Sequence, residues 1–157
     1  MPGLLPIYLL EWNTSLPNSE QLCDFLMCGG EYFWDHQTPD PRWLISYQCD
    51  LQANLKIPTV CAVDRELARV VGIAGFAIRG DLIHNELEPF WLVRNGYREY
   101  GLGSTLYKAA ESRVPSRFKT LIARIELVNT PSLKFAAKQG YNPLIRSGDY
   151  QLVSKYL

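Results

Sequence analysis

At 157 residues the chain has room for one domain with a real core and little for a second. Its composition, 47% hydrophobic and 20% charged, is that of a globular protein and excludes a disordered chain. Sixteen basic side chains balance sixteen acidic ones, but unevenly: residues 1–67 hold nine Asp and Glu against three Lys and Arg, and residues 68–157 hold seven against thirteen.

The opening stretch MPGLLPIYLLEW is apolar, yet it lacks a basic lead and breaks at Pro6 and Glu11. It reads as a first strand, neither a spanning helix nor a secretory signal. No other run reaches membrane length, so a soluble cytoplasmic protein is expected. Residues 17–30 start on a capping signal, Asn18 or Ser19 ahead of Glu20 and Gln21, and stop at two glycines, which predicts a helix. Residues 40–55 repeat that form with Asp40 as N-cap and Pro41 at the first helical position. Between these helices lies an aromatic loop.

The period then changes. Residues 58–64 and 69–80 are β-branched and aromatic runs joined by a polar turn, and residues 85–93 read as the next strand. Pro89 within it suggests a bulge or an unpaired position. A glycine-spaced loop follows, then a helix over about 101–113. Residues 118–128 read as a buried strand. Residues 129–140 read as a short helix with Asn129 as N-cap, Pro131 early and Gly140 at its stop. Two strands, 141–145 and 150–157, close the chain. The predicted order is β-αα-βββ-α-β-α-ββ, an α/β (α+β) fold with one mixed central sheet flanked by helices in a single domain over 1–157.

Four cysteines and two histidines show no CxxC, no HExxH and no other paired ligand spacing, so no metal is expected. The cysteines read as small hydrophobes. The aromatic loop 31–43 reads chiefly as packing, with Asp35 or Asp40 as the alternative attraction for a cation.

The stretch RNGYREYGLGSTLYKAAES, residues 94–112, carries the chemistry. Gly101 and Gly103 remove side chains where backbone approaches a ligand, a helix starts there with its first N–H groups lacking acceptors, and Arg98 adds a full charge. Together these predict an anion site. No Lys follows Gly103, which disfavours a Walker loop, and the third glycine of a dinucleotide fingerprint is missing.

Residues 93–106, VRNGYREYGLGSTL, resemble the pyrophosphate motif of the GCN5-related N-acetyltransferase (GNAT) family, with Val93, Tyr97 and then Arg98-x-x-Gly101-x-Gly103. Residues 129–141, NTPSLKFAAKQGY, resemble that family's second motif. The resemblance implies the acyl-CoA N-acyltransferase fold and acetyl-CoA as cofactor, with coenzyme A as product. It implies that backbone near Leu92 and Val93 holds the pantetheine arm and that amides across Arg98, Glu99, Tyr100, Gly101, Leu102, Gly103 and Ser104 take the pyrophosphate. Asn129, Ser132 and Phe135 would line the pantetheine and thioester end, and Lys138 would meet the adenosine phosphates. The implied reaction is transfer of an acetyl group to an amine by direct attack in a ternary complex.

Amide formation from a thioester needs a deprotonated amine and a stabilised oxyanion. The resemblance implies a glutamate here as base, for which Glu88 is expected with Glu86 two residues before it on the strand, and an N–H near Leu92 as oxyanion donor. Many members of the family place a tyrosine where this chain has Ala136. Either the thiolate leaves unassisted, or Tyr107, Tyr141 or Tyr150 stands in. The acidic first half favours a cationic amine as acceptor, a homodimer is left open, and the acceptor itself stays unidentified. The rivals are a non-catalytic or regulatory acyl-CoA-binding module and, ranked last, a nucleic-acid binder, since the basic charges are scattered without interleaved aromatics.

Overall fold

The computed structural model describes residues 7–11, 57, 59–78 and 85–157. The helices expected over 17–30 and 40–55, and the aromatic loop with Asp35 and Asp40, lie outside the described residues. The chain divides into two compact units, Met1–Gly75 with Trp91–Val114 and Phe76–Phe90 with Pro115–Leu157.

In the first unit the strand order is β1 (Ile7–Glu11), β2 (Thr59–Asp64), β3 (Arg69–Ile78) and the end of β4 (Glu86–Val93). β2 is antiparallel to both β1 and β3. All six residues of β2 and the run from Val70 to Phe76 in β3 are buried. That is why both read as unbroken apolar runs: strands covered on both faces carry no alternation. The β2–β3 register slips between Ala62 and Val63. A 3-10 turn, Arg98–Tyr100, leads into helix α1 (Leu102–Glu111). Its buried residues Leu102, Leu106, Tyr107 and Ala110 form a single stripe at helical spacing. Gly72 of β3 lies beneath that stripe, where a Cβ would sit 2.5 Å from Leu106 Cδ1. Glycine at 72 lets this helix approach the strand closely.

In the second unit the order is β3, β4, β5 (Thr120–Glu126), β7 (Tyr150–Tyr156), β6 (Asn142–Ser147). β4 and β5 are parallel, and their ladder comprises two pairs, Glu86↔Thr120 and Leu87↔Leu121, although both strands run on past it. β7 is antiparallel to β5 along seven pairs and antiparallel to β6. The sheet is therefore mixed, as expected. Helix α2 (Thr130–Lys138) starts where the sequence places it, because the Asn129 side chain accepts from the Ser132 N–H at 3.3 Å. It ends on Gly140 at φ +93°, where the N–H groups of Gly140 and Tyr141 return to the carbonyls of Ala137 and Ala136. Left-handed glycine closes helices in this way.

Among the described residues no helix is long and apolar enough to cross a membrane, and no group of three or more His, Cys, Asp or Glu could hold a metal ion. Cys61 is a fully buried free thiol whose pKa is pushed up by that burial. A thiol held protonated in the core fits its reading as a small hydrophobe.

Candidate active site

The loop after β4 leaves the strand through Arg94, whose N–H donates to the Val71 carbonyl at 2.7 Å and whose Nε donates to the Val70 carbonyl at 3.1 Å. The Tyr97 N–H returns to the Arg94 carbonyl. Tyr97 is 8% exposed, and its hydroxyl donates to Asp64 Oδ2 at 2.6 Å. Arg98 stays exposed, with Nε donating to the Val93 carbonyl at 2.9 Å. Gly101 follows at φ +70° as the N-cap of α1, with nothing within 4 Å of where its Cβ would be.

The first turn of α1 is bare. Gly101 supplies no capping side chain, and no acidic residue lies in that turn. The first carbonyl taken is that of Gly101, which accepts from both the N–H and the Oγ1 of Thr105 at 3.2 Å. The N–H groups of Leu102 and Gly103 therefore have no acceptor inside the helix. With the positive end of the helix dipole, these groups could hold an anion beside an exposed arginine. Gly103 and Ser104 are half-buried in this turn, and Tyr100 is 55% exposed.

Leu92 and Val93, both half-buried, differ in direction. The Leu92 carbonyl lies 3.5 Å from the Cβ position of Gly72, so it is turned towards β3. Strand backbone alternates between its two edges, so Val93 presents its N–H and carbonyl to the edge away from β3.

In the second unit, burial alternates strictly from Glu86 to Phe90: Leu87 and Pro89 are buried, while Glu86, Glu88 and Phe90 are half-buried. The two carboxylates therefore share one face. Pro89 follows both carboxylates, so a bulge there leaves Glu86 and Glu88 two residues apart on the same strand. On α2, Ser132 and Phe135 are half-buried, Lys138 is exposed, and Ala136 is fully buried.

Of the hydroxyls considered for protonating the thiolate, Tyr107 is 1% exposed, packs edge-on against Trp91 and donates to the Glu111 carboxylate. Tyr141 is buried, and Tyr150 is half-buried with the Arg124 guanidinium 4.5 Å from its ring centroid.

One contact has no sequence signal of its own. Asp64 looks like the polar end of a strand, yet it reaches Tyr97 of the loop, 33 residues on. The Tyr97 hydrogen bond holds the Asp64 carboxyl below its ordinary range, against the upward push of burial. The N–H groups of Leu67 and Glu66 and the charge of Arg69 add to the lowering.

Comparison with known proteins agrees with this fold. The model of the acetyltransferase (GNAT) family matches residues 19–141. No curated protein matches the chain. Among solved structures, an acetyltransferase of the GNAT family from Streptococcus pneumoniae is 15% identical, with a TM-score of 0.77 over 96% of this chain and 99% of that one. An N-acetyltransferase from Thermoplasma acidophilum, in complex with coenzyme A, is 15% identical, with a TM-score of 0.76 over the same shares of the two chains. A phosphinothricin acetyltransferase from Sinorhizobium meliloti, in complex with acetyl-CoA, is 15% identical, with a TM-score of 0.74 over 97% of this chain and 89% of that one.

Proposed function

The chain belongs to the acetyltransferase (GNAT) family, and from that premise we propose that it transfers an acetyl group from acetyl-CoA to an amine by direct attack in a ternary complex. The observation that carries the proposal is the first turn of α1: an open left-handed glycine, no acidic residue and an exposed Arg98 just before it. That cradle fits a pyrophosphate, and two of the similar structures hold acetyl-CoA or coenzyme A.

When bound, acetyl-CoA supplies an acetyl group activated as a thioester. The amides of Leu102, Gly103 and Ser104 hold its pyrophosphate, with Arg98, Glu99, Tyr100 and Gly101 forming the lip. Val93 offers its N–H on the edge of β4 away from β3 and serves as the oxyanion donor, with Leu92 beside it. Asn129, Ser132 and Phe135 border the pantetheine arm, and Lys138 meets the adenosine phosphates. Glu88 accepts the proton of the attacking amine, with Glu86 on the same face to hold the cationic form in place. Full burial of Ala136 favours a thiolate that leaves without an acid from that position. The acceptor is a cationic amine, as the acidic residues 1–67 favour.

The test is thiol release from acetyl-CoA with a panel of polyamines, amino acids, aminoglycosides and peptide N-termini. Glu88→Gln should retain coenzyme A affinity, lower kcat by about a hundredfold or more and change the pH profile of kcat. An unchanged rate and pH profile would place the base elsewhere. The absence of a tyrosine at 136 favours one second reading, an acyl-CoA-binding module without catalysis. Tight coenzyme A binding with no thiol release for any amine would select it.

A further inference from the structure

We propose that Asp64 is a positioning residue for the pyrophosphate loop, acting through the Tyr97 hydroxyl; the role rests on the reading of that loop given above. Both oxygens of this carboxylate are engaged. Oδ1 accepts from the Glu66 and Leu67 N–H groups at 2.9 and 3.1 Å and so closes the turn between β2 and β3. Oδ2 accepts from Tyr97 in the loop after β4. The turn alone does not account for Asp64, because an asparagine would close it equally well through one oxygen. What requires the second acceptor is Tyr97.

The direction of the hydrogen bonds is determined. Arg69 Nη2 donates to the Tyr97 hydroxyl at 3.3 Å, so that hydroxyl accepts from Arg69 and gives its own proton to Asp64. The Arg69 guanidinium also lies 5.8 Å from the Tyr97 ring centroid. Arginine, tyrosine and carboxylate thus form an ordered relay, with Asp64 4% and Tyr97 8% exposed. Charge-assisted bonds of this kind are among the stronger ones available to a side chain.

The relay anchors the loop at the point where it matters. Arg94 ties the start of the loop to the carbonyls of Val70 and Val71. Tyr97 is the last residue before the turn Arg98–Tyr100, and Gly101 and α1 follow at once. Arg98 is exposed and Gly101 has open space around it, so neither holds this segment down by packing. The anchor at Tyr97, together with the buried Leu102 and Leu106 of α1, therefore sets the level at which the bare N–H groups of α1 are presented. Loosening it leaves the cradle's chemistry intact and blurs its geometry, which an extended diphosphate feels and an uncharged arm does not.

The experiment measures affinities of the full chain for coenzyme A and for pantetheine, which lacks the pyrophosphate and nucleotide, by calorimetric competition. Tyr97→Phe, which keeps the ring and removes the hydroxyl, should weaken coenzyme A about tenfold and leave pantetheine within about twofold. With any amine accepted in the thiol-release assay, KM for acetyl-CoA should rise by a similar factor while kcat stays within about twofold. Asp64→Asn keeps the turn's acceptor but turns a donor towards Tyr97, and should act in the same direction. Equal weakening of both ligands, or unchanged coenzyme A affinity in a folded Tyr97→Phe, would overturn the role of Asp64. A wild-type chain that binds coenzyme A no better than pantetheine would instead overturn the pyrophosphate reading.

Discussion

Gly101 combines open surroundings with φ +70°, so a methyl group added there meets nothing in the protein yet strains the backbone. Gly101→Ala should cost about 1 kcal/mol in urea unfolding, from the left-handed conformation alone. On the proposed pyrophosphate reading it should weaken coenzyme A as well. Asp64 has a signature at the acid limb. Its folded pKa lies below the ordinary 3.8, so its contribution to stability is complete above about pH 3.8 and disappears as the pH falls through the lower folded value. Urea midpoints measured at pH 5 and below should show a drop on acidification that Asp64→Asn reduces. At these positions the sequence was only partly legible. Gly101 and Arg98 stood out because glycine and charge near a helix start have a direct physical meaning. Asp64 did not, because its partner Tyr97 lies 33 residues away and no local pattern records that distance.

Helix α1 is placed by its packing as much as by its start. Leu106 is fully buried and presses onto Gly72, where an added Cβ would come within 2.5 Å of Leu106 Cδ1. Gly72→Ala should therefore cost about 1–3 kcal/mol by overpacking. Leu106→Ala alone should cost about 2–5 kcal/mol by opening a cavity. The pair combined should cost less than the two together, because the new methyl enters the space that the leucine leaves. A strictly additive pair would mean that the two residues do not meet. The helices were legible from their ends: Asn129 caps α2 and Gly140 closes it, because each satisfies backbone groups that the helix itself cannot. The slip between Ala62 and Val63 and the two-pair ladder between β4 and β5 were not legible. Register depends on which strand lies alongside, and a strand's own residues do not say.

Across the chain, the described strands and helices fall within a few residues of their predicted positions, since apolar period, turn residues and caps act over short distances. The family assignment follows from two motifs in order rather than from either alone, and the match over 19–141 extends to both. The family was legible in the two motifs, whose glycines and caps have a direct backbone meaning, and the anion site they imply is the reading proposed above. The identity of the acceptor was not, because an excess of acid over residues 1–67 selects a charge type and not a molecule. The most direct measurement is a thermal unfolding titration with acetyl-CoA, coenzyme A, ATP and NADH side by side. A ligand bound only by the folded chain stabilises it by about 2.7 kcal/mol at a hundred times its Kd, a rise of several degrees in Tm for a chain of this length. Acetyl-CoA and coenzyme A should each raise Tm with concentration, and ATP and NADH should not. No rise with coenzyme A, or a rise with ATP or NADH in its place, would contradict the assignment of the α1 cradle to the coenzyme A pyrophosphate.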